Sequence, residues 1–521
     1  MARVKSKSLF ELIRSLTKNE KRYFTIQSST GNKEDKKVMQ LFDYLNKLKD
    51  FEEEDIERKL PSIKPEQLSN MKAYLYEKIL QSVRQYNCPK ILDIQIREQI
   101  DFAQLLFERR LYAQGMACLK KAKKLSKTHD NLELQLEIIK LEKSVLMQTI
   151  DHDTVSKVDR IIEEVSQINS RINNINIFSN LSIKLNSFYT RIGYIRDEQD
   201  FLKVKEFFYS NLPNYTEDCL SIGEKIHLYK LFVGYYFFLQ DFENGYQYSK
   251  KLVELFDNNP ELIKISPEQY IKGLNNLLIA QYKLFRYNEF LETKDLLQSF
   301  SVNSVFQSNE SIRILLLKYY FTHEINYYFM IGEFGKGVKV IVENEKSNLL
   351  EILQLVDKHS EMILTYKVAC LYFGASQFHD ALKWLNKIIN IPQADIREDL
   401  HCFARIINLI CHYELGNFDV IKYYIISTYR FLLKKDDLHL FQKFILKFLK
   451  DLNNEGGDKA MTAKFTKLKM QLLPLVNSSY EKRAFIYFDI ISWLESKIEK
   501  RPVQEIIKDK VLNKVKGLVE E

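Results

Sequence analysis

A turn followed by an aromatic residue recurs along this chain at a nearly constant interval. In the segment "LGNFDVIKYY", Gly416 and Asn417 tolerate the left-handed conformation that ends a helix, and Asp419 suits the first turn of the next helix. The same setting surrounds six aromatic residues: Phe201, Phe242, Tyr287, Phe334, Phe378 and Phe418. Their spacings are 41, 45, 47, 44 and 40 residues, and a period of this length predicts stacked helical hairpins.

The same interval extends toward the N-terminus. Tyr112 stands in a similar turn, 89 residues before Phe201, so about two intervals separate the two residues. This distance predicts one further, weaker corner near Val155 to Val158. Because a single amphipathic hairpin cannot bury its apolar stripe alone, we expect consecutive hairpins to pack against one another.

The composition favours helices throughout the chain. The 521 residues include only 15 Gly and 9 Pro, and no sustained alternation of apolar and polar residues is visible. We therefore predict an all-α fold. The six cysteines form no Cys-x-x-Cys pair, the basic N-terminus has no apolar signal-peptide core, and the apolar runs are short and carry charges. These features predict a soluble, cytoplasmic protein that does not enter a membrane.

The turns resemble those of the tetratricopeptide repeat family, in which a small residue follows the corner aromatic by three places and an aromatic residue precedes it by six. The small residues here are Gly115, Gly245, Gly337 and Ala381, and the preceding aromatics are Tyr236, Tyr328 and Tyr372. The resemblance implies an all-α superhelical solenoid over residues 91–430, with helical caps at residues 1–90 and 431–521. Two features depart from the family: the period exceeds about 34 residues, and Phe290 and Ile421 replace the small residue.

Two capping boxes mark short helices at the N-terminus. The boxes are Ser8-x-x-Glu11 and Thr17-x-x-Glu20, and they predict two helices that meet near Leu16.

A longer helix follows within residues 1–90, and it carries Lys72, Lys78 and Arg84. Residues 1–90 hold 19 Lys and Arg against 13 Asp and Glu. This part of the chain is therefore either a cap for the solenoid or a helix-turn-helix-like domain in which these three basic side chains contact nucleic acid.

Aromatic residues also stand five places before most of the corners. They are Phe107, Phe237, Tyr282, Phe329, Phe373 and Tyr413, with Arg196 as the exception before Phe201. In tetratricopeptide repeats the first helix of each pair lines the concave groove, so the resemblance implies a row of rings that binds a partner peptide. The candidate partner-binding residues are Phe237, Tyr282, Phe329, Phe373 and Tyr413. The alternative is that these rings pack beneath the corners as part of the core.

No sequence pattern predicts a catalytic, cofactor or metal site. The cluster Gly332-x-x-Gly335-x-Gly337 lacks a preceding strand and the Lys-Ser/Thr ending of a phosphate loop. Cys402 and Cys411 face opposite sides of a helix, and His401 and His412 lie about 16 Å apart along it, too far to share one zinc ion. We therefore expect neither a cofactor nor an enzymatic activity.

Two functions remain after these exclusions. The first is a non-catalytic scaffold that binds a partner protein or peptide in the solenoid groove. The second is a DNA-binding transcriptional regulator, with residues 1–90 on nucleic acid and the repeats as a sensor, a combination found in bacterial regulators that the layout resembles. A third possibility, an enzyme with an unrecognised site, has no residue pattern in its favour.

Overall fold

In the computed structural model, nearly all the regular secondary structure of the described residues is α-helix. It describes residues 6–28, 33–48, 59–60, 63, 65–128, 130–148, 154–192, 194–195, 197–301, 309–344, 348–391, 397–435, 438–451, 458–478, 481, 485 and 488–520. No β-strand occurs within these ranges, and this confirms the prediction of an all-α fold.

The pattern of contacts between Cα atoms divides the chain into two compact units. The first unit is Met1–Ile172 and the second is Asn173–Glu521, so the division falls inside a helix. The predicted domain boundaries after residues 90 and 430 differ from this division and stay predictions.

The first unit contains seven complete described helices and the start of an eighth. They are α1 (Ser6–Ser15), α2 (Lys18–Ser28), α3 (Lys33–Lys47), α4 (Pro65–Asn87), α5 (Leu92–Glu108), α6 (Tyr112–Thr128), α7 (Leu132–Leu146) and α8 (Thr154–Ile192). The first four helices share a core in which Leu9, Phe42 and Leu75 are almost completely buried.

The prediction that two short helices meet near Leu16 is confirmed. Thr17 caps α2: its backbone N–H donates to Glu20 Oε2 at 2.9 Å, and the N–H of Glu20 donates to Thr17 Oγ1 at 3.3 Å. The predicted box at Ser8 is wrong, because α1 begins at Ser6 and Ser8 therefore lies inside the helix.

The second unit continues with seventeen further described α-helices, besides a short 3₁₀ helix (Glu217–Cys219) and a π-helical turn (Val338–Val342) that follows α16. Those up to residue 389 are α9 (Glu198–Asn211), α10 (Ile222–Phe238), α11 (Phe242–Asp257), α12 (Pro260–Ile265), α13 (Pro267–Lys283), α14 (Tyr287–Ser301), α15 (Glu310–Ile331), α16 (Phe334–Gly337), α17 (Leu349–Leu355), α18 (Lys358–Gly374) and α19 (Phe378–Ile389). The last six are α20 (Glu398–Glu414), α21 (Phe418–Lys434), α22 (Leu440–Lys450), α23 (Asp458–Val476), α24 (Ile490–Glu499) and α25 (Val503–Glu520).

Six helices begin at an aromatic residue that the sequence marks as a corner. These corner residues are Tyr112, Phe242, Tyr287, Phe334, Phe378 and Phe418, the first residues of α6, α11, α14, α16, α19 and α21. We call the helix before each corner the first helix and the helix that begins there the second helix. The first helices are therefore α5, α10, α13, α15, α18 and α20.

All six corners share one backbone turn. The residue two places before the corner residue is left-handed, with φ between 57° and 71°; these residues are Arg110, Gln240, Phe285, Gly332, Ser376 and Gly416. At the α10–α11 corner, the N–H of Gln240 donates to the carbonyl of Phe237 at 3.0 Å, and the N–H of Asp241 donates to that of Tyr236 at 2.9 Å. This pair of bonds is the Schellman motif, which satisfies the last carbonyls of the first helix.

Within the second unit, second helices pack against the next first helix along the chain. Helix α11 packs on α13, α14 packs on α15, and α19 packs on α20. Their apolar faces join in buried clusters that include Phe256, Phe290 and Leu385. The arrangement of these pairs as a superhelical solenoid stays a prediction.

Two segments depart from the expected interval. Phe201 lies three residues inside α9, because Asp197 caps that helix and it begins at Glu198. Helix α8 begins at Thr154, beside the predicted weaker corner, and then runs for 39 residues without a second turn. The residues just before it, 149–153, lie outside the described part of the chain.

Candidate functional site

Of the six aromatic residues that stand five places before a corner, five pack against the corner residue itself. We call these six residues the aromatic row. Ring centroids are 6.2 Å apart for Phe107–Tyr112, 5.8 Å for Phe237–Phe242, 5.6 Å for Phe329–Phe334, 5.3 Å for Phe373–Phe378 and 6.0 Å for Tyr413–Phe418. Most rings of the row therefore have a packing role at their own corner.

The small residue after a corner makes room for a ring of this row. A Cβ atom added to Gly245 would lie 2.5 Å from Phe237 Cδ1, and one added to Gly115 would lie 2.7 Å from Phe107 Cδ1. Both distances are far below van der Waals contact. At these two corners, the small residue expected from the tetratricopeptide resemblance is therefore explained by the ring, which leaves no room for a side chain.

The α13–α14 corner is built differently. Phe290 stands there in place of the small residue, is fully buried, and lies 6.1 Å from the ring of His323. The row residue Tyr282 lies under two ammonium groups, those of Lys283 at 5.1 Å and Lys367 at 5.6 Å from its ring centroid. Lys367 also lies 5.6 Å from the ring of Phe329, so two row residues share one cation.

C-terminal residues cover two of the five candidate partner-binding residues. Phe373 is fully buried and its ring lies 4.7 Å from that of Phe488. Tyr413 lies 6.3 Å from Trp493, which is itself fully buried in α24. Of the five candidates only Phe373 is fully buried, whereas Phe237, Tyr282, Phe329 and Tyr413 are half-buried and keep some access to solvent.

A buried polar chain crosses three first helices behind these rings. His323 Nε2 donates to Asn275 Oδ1 at 2.9 Å, and Asn326 Nδ2 donates to His323 Nδ1 at 3.3 Å, an assignment that makes the imidazole neutral. Lys367 Nζ then donates to Asn326 Oδ1 at 2.5 Å. Burial lowers the pKa of His323 to about 3 and that of Lys367 to about 8. These linked side-chain hydrogen bonds fix the Lys367 ammonium group at the edge of the aromatic row.

Three lysines on consecutive first helices form a second feature, which we call the lysine row: Lys230, Lys272 and Lys318. Lys230 Nζ of α10 donates to Gln269 Oε1 of α13 at 2.8 Å. Lys318 Nζ of α15 donates to Ser360 Oγ of α18 at 3.3 Å. Each of these ammonium groups therefore reaches toward the next first helix, and the positive charges run across helix boundaries.

The electrostatics of the lysine row favour an anionic neighbour. Burial lowers the pKa of Lys230 and of Lys318, and the charge of Lys272 lowers both further. Glu268 opposes these effects at Lys230, and Asp357 opposes them at Lys318. Lys272 is exposed and pairs with Glu268 at 2.5 Å. A carboxylate brought to this row would stabilise the charged forms of Lys230 and Lys318.

The three basic residues proposed to contact nucleic acid occupy different environments on α4. Lys72 is only 8 % exposed and faces the protein interior. Lys78 is exposed and lies 5.3 Å from the ring centroid of Tyr74, and Arg84 is exposed and pairs with Asp101 at 3.4 Å. The helix therefore presents Lys78 and Arg84, but not Lys72, to solvent.

Cys370 is buried, and burial raises the pKa of its thiol to about 12, which disfavours the reactive thiolate. No group of three or more His, Cys, Asp or Glu residues in the described ranges could hold a metal ion. Within the same ranges, every helix is too short or too polar to cross a membrane.

Sequence reasoning found the corner aromatics but missed the lysine row and the buried polar chain. Lys230, Lys272 and Lys318 lie 12, 15 and 16 residues before their corners, so a weak signal exists in the spacing. Lysine is common on exposed helix faces, however, and only the contacts between helices separate these three from the rest.

Comparison with protein-family models gives no match for this chain, and comparison with curated proteins gives none either.

Proposed function

We propose that the chain is a non-catalytic scaffold of tetratricopeptide-like helical hairpins that binds a segment of a partner protein on the first-helix face of its second unit. The repeated Schellman turn and the ring pair at the corners support a repeat architecture. Stacked hairpins of this kind present their first helices side by side and so form an extended binding surface.

The observation that carries the proposal is the lysine row. Lys230, Lys272 and Lys318 come from three consecutive first helices. Lys230 bonds to Gln269 on the helix that carries Lys272, and Lys318 bonds to Ser360 on the following first helix. We propose that carboxylates of the partner segment contact this row, and that Tyr282 and Phe329, about 15–16 Å further along the helices that carry Lys272 and Lys318, supply apolar contacts. The proposed binding surface therefore includes only two of the five rings that the sequence suggests.

The regulator alternative has less support among the described residues. Of the three basic residues assigned to nucleic acid, Lys72 is buried and Arg84 already pairs with Asp101. If residues 1–90 bind duplex DNA, binding should weaken steeply with salt and disappear when these residues are deleted. A scaffold would show neither effect.

A photocrosslinking amino acid at Lys272 identifies the partner, because that side chain is exposed and central in the row. The partner is then purified and titrated against the wild-type chain and the triple variant Lys230→Gln, Lys272→Gln, Lys318→Gln. We expect the triple variant to lose about tenfold or more in affinity. Lys336→Gln is the matched control, since Lys336 is exposed on a second helix. Equal affinity of the triple variant and the control would overturn the proposal.

A further inference from the structure

A cleft in the first unit lies between helices α6, α7 and α8. The cleft is an open groove with a volume of about 840 Å³. The α6 side of the cleft is lined by Ala113, Met116, Ala117, Lys120, Lys123, Lys124 and Lys127. The other lining residues are Glu142 of α7 and Arg160, Glu163, Glu164 and Gln167 of α8. The lining has five cationic side chains against three carboxylates and contains no aromatic ring.

Two of the five cations are neutralised by ion pairs. Lys123 Nζ lies 2.7 Å from Glu142 Oε2 and 2.9 Å from Glu164 Oε2, and Lys127 Nζ lies 2.7 Å from Glu164 Oε1. Burial raises the pKa of Glu164, but hydrogen bonds from Lys127 and Lys123 outweigh this effect and hold its pKa below the usual value. The positive and negative charges of these residues balance, and their ion pairs join α6 to α7 and α8.

The remaining three cations have no such partners. Lys120, Lys124 and Arg160 are exposed, and no ion pair or hydrogen bond to their side chains occurs in the described part of the chain. Lys120 and Lys124 are four residues apart on α6, so they share one face about 6 Å apart along the axis. Arg160 faces the cleft from α8. The third carboxylate, Glu163, accepts a hydrogen bond from Gln167 at 3.2 Å.

We propose that this cleft binds a ligand with several phosphate groups, held by Lys120, Lys124 and Arg160. Phosphate oxygens suit this set, because an arginine can contact two of them at once while the lysines act as point charges. The absence of an aromatic ring from the lining means that the cleft provides no stacking surface for a base. The site therefore recognises phosphates, whether they belong to a small polyphosphorylated molecule or to a nucleic-acid backbone. It lies in the first unit and does not depend on the proposed scaffold function.

The test is calorimetric titration of the full chain with sodium tripolyphosphate. We expect saturable binding with one site per chain, weakened about tenfold or more in the triple variant Lys120→Gln, Lys124→Gln, Arg160→Gln. Lys121→Gln is the matched control, because Lys121 is exposed on the same helix but does not line the cleft. No saturable binding, or equal affinity in the triple variant and the control, would overturn the proposal.

Two additional measurements complete this test. Ellipticity and melting temperature show whether the triple variant is folded; if it is not, Arg160→Gln alone replaces it, and unchanged affinity in that folded variant counts against the proposal. A duplex DNA of random sequence then separates the two sources of phosphate. DNA binding that the triple variant loses and the Lys121→Gln control keeps identifies a nucleic-acid backbone as the ligand, whereas tripolyphosphate binding without DNA binding identifies a small molecule.

Discussion

The ring of Phe237 occupies the space into which a side chain on Gly245 would project. Gly245 is the third residue after the corner residue Phe242, and a Cβ atom there would lie 2.5 Å from Phe237 Cδ1. A first-helix ring and a second-helix glycine therefore determine together how closely the two helices approach.

Gly245→Ala should destabilise the protein, because the added methyl group overlaps the Phe237 ring. We expect a loss of about 1–3 kcal/mol in the free energy of unfolding, measured by urea denaturation. Gly234→Ala is the matched control, since nothing lies within 4 Å of a Cβ atom at this helical position. The control should gain up to about 1 kcal/mol from helix propensity. A neutral or stabilising Gly245→Ala would show that the ring is free to move.

The left-handed residues at the corners give a second prediction. Ser376 and Gly416 occupy the same place in two equivalent turns, and both are left-handed, with φ of 60° and 71°. Ser376→Gly should stabilise the protein by about 0.5–1 kcal/mol, because glycine adopts this conformation without the steric cost of a Cβ atom. Gly416→Ala should have the opposite sign. Shifts in the urea midpoint measure both changes, and a stabilising Gly416→Ala would contradict the shared turn.

Removal of a corner ring should destabilise the protein through lost packing. Phe378 is half-buried and its ring lies 5.3 Å from that of Phe373. Phe378→Ala should therefore lower the free energy of unfolding by about 2–3 kcal/mol, and the melting temperature by several degrees. Tyr423→Ala should have little effect, because Tyr423 is 71 % exposed on α21. Equal melting temperatures for the two variants would mean that the corner ring does not contribute to packing.

The corners were predictable from the sequence because their signals are local. A turn residue, an aromatic residue and a helix-forming run are all visible within a dozen positions, and they placed Phe378 and Phe418 at helix starts. Phe201 was misplaced because Asp197 caps α9 four residues earlier and no aromatic residue marks that cap.

The environment of the aromatic row could not be predicted in the same way. Phe373 is covered by Phe488, more than a hundred positions along the chain, and no local pattern reports such a contact. The lysine row depends on bonds such as that of Lys230 to Gln269, across 39 positions. Local sequence therefore located the helix pairs, whereas the surfaces that remain open depend on distant packing.

Buried neutral histidines should make the protein sensitive to acid. His401 is 1 % exposed, and neither ring nitrogen has a hydrogen-bond partner among the described residues. Burial lowers its pKa to about 4; the charge of Arg405 and, more weakly, that of Lys435 act in the same direction, while Asp399 opposes them. In the unfolded chain the pKa returns to about 6.5. The unfolded state then binds the proton more readily, so stability is retained above pH 6.5 and falls as the pH drops toward 4.

Comparison of wild type with His401→Phe isolates this effect. We expect wild type to lose about 1–2 kcal/mol more than the variant between pH 7 and pH 5, in urea titrations at both values. The phenyl ring suits the site because Phe431 lies 6.4 Å from the imidazole ring. A pH dependence that is the same in both proteins would show that His401 does not remain neutral in the folded state.

Acetylation of lysines, followed by mass spectrometry, tests the scaffold account most directly. The purified partner identified by crosslinking is added at saturating concentration, and the acetylation rate of each lysine is compared with that in the free chain. The account predicts that Lys230, Lys272 and Lys318 become protected together while Lys336 keeps its rate. Unchanged rates at all three lysines in the presence of bound partner would contradict it.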